Sequence, residues 1–125
     1  MNRKTFIAEC TRFIAFAMRL WEKAAQQGIA ALGSEAEDID DELFKQGLRF
    51  VIDGVEPRHI DEIMSNRIAH ERDKYTRLYK TIQKRAVLGI QAGETFRVLF
   101  AVLLSLPGLT PKEEDKIEDL VLFDD

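Results

Sequence analysis

The spacing of apolar residues over the first 32 positions predicts that this chain begins with an α-helix. Apolar or small residues recur there every three or four positions, at Phe6, Cys10, Phe13, Ala17, Leu20, Ala24 and Gly28. That interval places them on one face of an α-helix. Alternation of apolar and polar residues, the pattern of a β-strand, never persists for more than three or four positions in the chain. We therefore predict an all-α fold.

Breaks in the helical pattern divide the chain into about five predicted helices, two of them long. Glycine favours helix ends and proline favours helix starts, so residues such as Gly33, Gly54 and Pro57 mark expected boundaries. We expect one compact bundle, a single domain of residues 1–125 that self-associates. Its predicted elements are a long N-terminal helix over 1–33, an acidic loop and short helix over 34–56, a long helix over 57–92, an apolar helix over 93–107 and an acidic C-terminal helix over 108–125.

Size and charge argue against several classes of protein. The 125 residues, 46% of them hydrophobic, provide material for one core. A net charge of -4 gives no general attraction to nucleic acid or to an anionic bilayer. The strongest apolar run, 98–106, is much shorter than the roughly 20 residues of a membrane-spanning helix. With Cys10 as the only cysteine and no signal-peptide pattern, we expect a cytoplasmic protein without membrane insertion.

A first segment, residues 28–57, resembles the flagellar stator protein MotA. It is similar to the cytoplasmic loop between the second and third membrane helices of that family, and the similarity needs no gap. The motifs that carry it are Gly28-Ile-Ala-Ala-Leu32, Glu35-Ala-Glu-Asp-Ile-Asp-Asp41, Lys45-Gln-Gly-Leu48 and Val51-Ile-Asp-Gly-Val-Glu-Pro57.

A second segment, residues 88–107, is similar to the tail that follows the fourth membrane helix of the same family. It contains Leu88-Gly-Ile-Gln-Ala-Gly-Glu94, Arg97 and Leu103-Leu-Ser-Leu-Pro107. Where the family has Asn-Pro and a charged triplet, this chain has Thr95-Phe96 and 100–102, which are apolar apart from the threonine. The two segments occur in the order that the family has.

The resemblance also implies differences in function. The family's ion path lies in its third and fourth membrane helices, whereas here a polar stretch, about 70–84, joins the two segments. We therefore expect no ion conduction. The family contacts its rotor through a basic and an acidic residue at the positions of Ala25 and Gly33. Rotor binding by that charge pair is therefore not carried over to this chain.

The apolar helix of 93–107 supplies the first candidate surface. A helix that is apolar on all sides is normally buried, and its ordinary place is the centre of the monomer's bundle. The alternative is that part of it binds a protein partner or a second copy of the chain, because an exposed apolar patch marks an interaction site. The residues of this candidate face are Phe96, Phe100, Leu103 and Leu104.

Two charged stretches supply the other candidate surfaces. The acidic residues are Glu35, Glu37, Asp38, Asp40 and Asp41, and the basic ones are Arg72, Lys74, Arg77, Lys80 and Lys84. We expect the basic stretch to pair with acidic segments, either 35–42 or the tail 111–125, within or between chains. Basic residues beside Tyr75 and Tyr79 also fit a nucleic-acid surface, which is the weaker reading.

The sequence offers no catalytic or metal site, and we expect no enzyme activity and no cofactor. The acidic run resembles the start of an EF-hand, but Leu43 and Arg49 replace the glycine and the glutamate that such a loop requires. His59 and His70 lie about three helical turns apart, which is too far to share a metal. Cys10 lies on the apolar stripe and is expected in the core.

The leading hypothesis is a MotA-like protein that binds flagellar motor components as an adaptor, assembly factor or modulator. A helical oligomerisation module unrelated to motility is the alternative, followed by a nucleic-acid-binding bundle. An engineered fusion of the two MotA-like segments also remains open.

Overall fold

The computed structural model describes residues 1–123, and this part of the chain contains seven α-helices and no β-strand. The all-α prediction is confirmed, and the predicted number of about five helices is wrong. The helices are α1 (Arg3–Gln27), α2 (Gly33–Glu37), α3 (Glu42–Ile52), α4 (Pro57–Ala69), α5 (Lys74–Ala92), α6 (Phe96–Ser105) and α7 (Pro111–Leu122), with a 3-10 turn at Ile29–Leu32 between α1 and α2.

Helix α1 lies in the core along the face that the apolar spacing predicted. Its side chains at Phe6, Cys10, Phe13, Ala17 and Leu20 are all buried. The helix begins at Asn2, whose side-chain oxygen accepts a hydrogen bond from the Thr5 amide. Burial raises the pKa of the Cys10 thiol to about 12, so this cysteine is a core residue without thiolate reactivity at neutral pH.

Helices α1 and α5 form the centre of the bundle. α1 packs against α5, α6 and α7, and α5 packs against α3, α4 and α6. The apolar side chains of α5 at Ile82, Val87 and Ile90 are buried together with those of α1 in one continuous core. Every other long element therefore rests on one or both of these helices.

The N-terminal helix ends earlier than predicted, at Gly28 instead of Gly33. Gly28 has a φ of 90°, which only glycine adopts without strain, whereas Gly33 is helical and lies inside α2. The 3-10 turn after Gly28 brings Leu32 into the core, where it is fully buried. Burial of this leucine explains why the chain turns at the first glycine and continues through the second.

The prediction of a single long helix over 57–92 is wrong, because the helix is interrupted at residues 70–73. Asp73 caps α5 through its side chain, which accepts hydrogen bonds from the Thr76 amide at 2.9 Å and from the Thr76 hydroxyl at 2.8 Å. The break lets α4 fold back along α5, and Lys84 reaches Asp61 at 2.8 Å. α4 and α5 therefore form a helical hairpin instead of one projecting helix.

Other predicted boundaries are confirmed. Gly54 and Gly93 have φ values of 79° and 67° and end α3 and α5. Pro57 is the first residue of α4. Thr110 and Glu113 form the reciprocal hydrogen bonds of a capping box at the start of α7. Among the helices of residues 1–123, none combines the length and the apolar character needed to cross a bilayer.

Candidate functional site

The two segments that resemble MotA pack against each other. The Gln91 side-chain amide, in the second segment, donates a hydrogen bond of 2.7 Å to the Val55 carbonyl, in the first. The indole N–H of Trp21, on α1, donates a hydrogen bond of 2.7 Å to the Glu94 carbonyl. Residues far apart in sequence thus meet at the C-terminal end of α1 and the turn between α5 and α6.

A shallow cavity of about 310 Å³ opens at this meeting point. We call it the junction surface and define it by Trp21, Ala25, Gly28, Gln91 and Gly93, which line it. Ala25, Gly28 and Gly93 are exposed, so small side chains and backbone form part of the surface, beside the larger Trp21 and Gln91. Such a surface allows close approach of another backbone. Ala25 lies in it, whereas Gly33 does not line it.

An ion pair stabilises the turn beside the junction surface. The Arg85 guanidinium donates two hydrogen bonds to the Glu94 carboxylate, at 2.9 Å and 2.7 Å. This two-point geometry fixes the orientation of both side chains. A Cβ atom placed on Gly89 would lie 2.6 Å from a Glu94 carboxylate oxygen, so the close packing of the turn depends on that glycine.

The partner face predicted on α6 is largely part of the monomer core. Leu103, Leu104 and Phe100 are only 0%, 6% and 7% exposed. Phe96 is half-buried, with its ring 5.4 Å from Trp21. Phe100 and Leu104 contribute to the floor of a groove of about 530 Å³ between α6 and α7, but their side chains offer little free area. The prediction of an exposed face on these residues is therefore corrected, because α6 packs against α1 and α5.

Two of the predicted acidic residues form ion pairs. Glu35, half-buried, accepts a hydrogen bond from the Lys23 ammonium on α1, and this bond lowers the pKa of the Glu35 carboxyl. Glu37 is exposed and lies 3.8 Å from the Arg49 guanidinium. Both contacts join α2 to neighbouring helices.

The other three acidic residues lie in the loop between α2 and α3. Asp41 caps α3, because its side chain accepts a hydrogen bond of 3.0 Å from the Phe44 amide. Asp38 and Asp40 are exposed, and no ion pair within residues 1–123 involves them. These two carboxylates are therefore available to a ligand.

Three of the predicted basic residues are held by the α4–α5 hairpin itself. Lys80 pairs with the Glu71 carboxylate at 3.1 Å, and Arg77 donates to the Glu71 carbonyl. Lys84 donates to the Asp61 carboxylate, and this contact lowers the pKa of that group. Pairing of this stretch with 35–42 or with the tail within one chain is thus not found in the described residues, and pairing between chains stays a prediction. The nearest carboxylates, those of Glu71 and Asp61, lie in the α4–α5 hairpin. The continuous helix predicted from the sequence has no hairpin and so did not bring these groups together with the basic residues.

The remaining two basic residues are exposed. Arg72 lies in the turn between α4 and α5, and the Lys74 ammonium is 4.9 Å from the centre of the Tyr75 ring. In the described part of the chain, no three His, Cys, Asp or Glu side chains are grouped to hold a metal ion. His59 and His70 are both exposed and separate.

Comparison with known proteins finds sequence similarity to motility protein A of several bacteria. The chain is 32% identical over 97 residues to the protein of Treponema phagedenis, covering 78% of this chain and 36% of that protein. The Treponema pallidum protein is 30% identical over the same length, and the Borreliella burgdorferi protein is 33% identical over 76 residues, or 58% of this chain and 29% of the relative. The chain spans about a third of the length of these relatives. No family model matches.

Proposed function

The chain is MotA-like, with a relationship to motility protein A that extends over 78% of its residues, and from this premise we propose that it serves bacterial motility by binding another protein. The proposed partner is a component of the flagellar motor, and the proposed role is that of an adaptor or modulator on the cytoplasmic side. Binding, and not catalysis, is the activity proposed. The contact surface is the junction surface.

The observation that carries this proposal is the contact between the two MotA-like segments. The Gln91 side chain of the second segment donates a hydrogen bond to the Val55 backbone carbonyl of the first, and the Trp21 indole donates to the Glu94 backbone carbonyl beside it. A surface assembled from two distant parts of the sequence supports a shared role for them. The resemblance adds that Ala25 occupies the position where the family has a rotor-binding basic residue.

Small side chains make the junction surface sensitive to added bulk. Ala25 is exposed on α1, and arginine is a good helix former, so Ala25→Arg should keep the fold while filling the cavity. Ala8→Arg is the matched control, because Ala8 is exposed on the same helix. The two positions lie about 25 Å apart along the helix axis.

The experiment compares these variants in a swimming bacterium that carries the gene. After chemical cross-linking, the unaltered protein should be recovered with stator or rotor components, and deletion of the gene should change the diameter of the swimming ring. Ala25→Arg should lose both the cross-link and complementation, whereas Ala8→Arg should keep both. A deletion strain that swims normally, together with no cross-link to any motor component, would contradict the proposal.

A further inference from the structure

A second cavity, of about 440 Å³, opens between α1, the loop after α2, α3 and α5. We call it the acid-aromatic cavity and define it by six of its lining residues: Phe13, Phe44, Tyr79, Gln83, Asp38 and Asp40. It is separate from the junction surface and shares no lining residue with it.

Aromatic rings from three helices lie around this cavity, with Phe13 and Phe44 buried behind it and Phe16 and Tyr79 half-buried beside it. The rings of Phe13 and Phe44 are 4.9 Å apart and nearly perpendicular, at 88°. Tyr79 lies 5.8 Å from Phe13, and Phe16, also in the lining, lies 6.2 Å from Phe44. Rings at such angles present both edges and faces, and aromatic faces attract cations.

Gln83 provides a polar atom that has no partner in the protein. The side chain is 1% exposed, and its carbonyl oxygen is buried without a hydrogen-bond donor in the described structure. Buried carbonyl groups without a partner are rare in native proteins. Because Gln83 lines the cavity, a donor on a ligand would satisfy this oxygen.

The rim of the cavity is strongly negative. Four carboxylates line it, those of Glu35, Asp38, Asp40 and Asp41. Glu35 is paired with Lys23, whereas Asp38 and Asp40 form no ion pair in the described residues. The one cation in the lining is Arg12. Arg12 is itself paired with a neighbouring glutamate at 2.7 Å. One oxygen of Glu35 is also buried without a partner, so the acceptors exceed the donors that the chain supplies.

Burial, and to a smaller extent nearby negative charge, act on the phenol of Tyr79. Burial raises the pKa of Tyr79 to about 12, and the charges of Asp41 and Glu9 contribute in the same direction. Negative charges oppose the phenolate because like charges repel. An anionic ligand would meet the same repulsion in this cavity, whereas a cation would be attracted.

The shape and the donor requirement select one kind of cation. A divalent metal ion prefers several oxygen ligands in a compact shell, and the aromatic walls do not provide it. An arginine side chain offers five N–H donors in a plane that stacks on aromatic rings and pairs with carboxylates. Phe16 already shows this affinity, because the Arg19 guanidinium carbon lies 5.9 Å from its ring centre.

We infer that the acid-aromatic cavity binds the guanidinium group of an arginine in a basic segment of a partner protein. In this arrangement the guanidinium lies against the aromatic walls, donates to the Gln83 carbonyl oxygen and pairs with Asp38 or Asp40. The inference rests on the proposed function only in assigning the arginine to a protein. Charge complementarity between a negative rim and a basic segment is the argument for this occupant.

The test titrates the purified, isotope-labelled protein with a short acetylated Gly-Arg-Gly amide peptide and follows the NMR spectrum. Matched peptides carry lysine, or citrulline, which keeps the shape of arginine without its charge. We expect saturable shifts for the Gln83 side-chain amide and for backbone amides near Phe13, Phe44 and Tyr79. The citrulline peptide should bind at least about tenfold more weakly, because it lacks the charge-assisted hydrogen bonds, and the loss of one such bond weakens binding by about that factor or more.

Two variants and a matched control separate the contributions of Gln83 and of the rim carboxylates to peptide binding. Gln83→Met removes the carbonyl acceptor and should weaken arginine-peptide binding by about tenfold. A variant with Asp38→Asn and Asp40→Asn changes only exposed carboxylates and should weaken binding several-fold, with a reduced dependence on salt. The matched control carries Glu114→Gln and Glu118→Gln, on the rim of the α6–α7 groove, and should bind the peptide as the unaltered protein does.

Several results would overturn the inference. These are the absence of saturable shifts, equal binding of the citrulline peptide, shifts spread evenly over the surface, or no weakening in the Asp38 and Asp40 double variant. That double variant decides the matter if Gln83→Met fails to fold. Binding of the peptide, together with normal swimming of the deletion strain and no cross-link to the motor, would refute the proposed function and leave the cavity assignment intact. A cross-link to the motor without binding of the peptide would refute the cavity assignment and leave the proposed function intact.

Discussion

Replacement of Gln83 by methionine should stabilise the protein while it removes the proposed ligand acceptor. Gln83 is buried in α5, and its carbonyl oxygen has no donor in the described structure. Methionine has nearly the same length and flexibility, so the core needs little adjustment. The free energy of unfolding of the unbound protein should therefore increase, although the same substitution weakens ligand binding.

The expected gain follows from two opposing terms. A buried polar group without a partner costs about 1–3 kcal/mol. Methionine also loses the hydrogen-bonding capacity of the Gln83 amide N–H groups, about 0.5–1.5 kcal/mol for one hydrogen bond. The difference is a net stabilisation of about 1 kcal/mol, or roughly 3–5 °C in Tm for a chain of this size.

Urea denaturation followed by circular dichroism measures this change. The midpoint for Gln83→Met should rise while the dependence of the unfolding free energy on urea stays constant. Gln27→Met, at an exposed position near the end of α1, is the control and should remain within about 0.5 kcal/mol of the unaltered protein. Destabilisation of more than about 1 kcal/mol by Gln83→Met would show that the amide is satisfied within the protein and would refute the reasoning.

Three further predictions concern the bundle. In urea denaturation, Leu103→Ala should destabilise the protein by about 2–5 kcal/mol, and Val98→Ala, at 48% exposure, by roughly 0.5 kcal/mol or less. Equally small effects of both substitutions would show that Leu103 is not part of the core. The Arg3 guanidinium lowers the pKa of Glu113 to about 2 from 4.5, so this pair contributes stability above about pH 4.5 that is lost as the pH falls toward 2. Urea midpoints of Glu113→Gln should lack that part of the pH dependence, and an unchanged profile would contradict the assignment. Trp21→Phe removes an indole hydrogen bond to a backbone carbonyl and should cost about 1 kcal/mol in thermal unfolding, whereas an unchanged Tm would show that the bond contributes nothing.

The sequence predicted the parts of the fold that depend on one helix at a time. The stripe on α1 is buried from Phe6 to Leu20, and Gly54, Pro57 and Gly93 mark real helix boundaries. These signals are local, because the spacing of apolar residues and the conformations open to glycine and proline do not depend on the rest of the chain.

The breaks that were missed depend on tertiary contacts. Gly28 and Gly33 are equivalent as local signals, and the burial of Leu32 decides between them. The polar stretch around residue 70 fits a helix or a turn equally well by its spacing. Asp73 as a cap for α5 favours the turn, and a search for Asp followed three positions later by Thr76 would have indicated it.

The candidate sites were only partly visible in the sequence. The acidic run was recognised, but the meeting of rings from α1, α3 and α5 beside it depends on the packing of three helices. Gln83 was not singled out, although it is a polar residue four positions after Tyr79 and next to the buried Ile82. For α6, the apolar spacing could not tell which side would pack against α1 and α5.

Both candidate sites depend on the position of α5. Tyr79 and Gln83 line the acid-aromatic cavity, and Gln91, about 12 Å further along the same helix, lines the junction surface. A core substitution such as Ile82→Ala would shift α5 and disturb both sites together, so a loss of function in that variant would not identify either one. Ala25 and Asp38 lie outside α5, so surface substitutions there can separate a contact with the motor from recognition of an arginine.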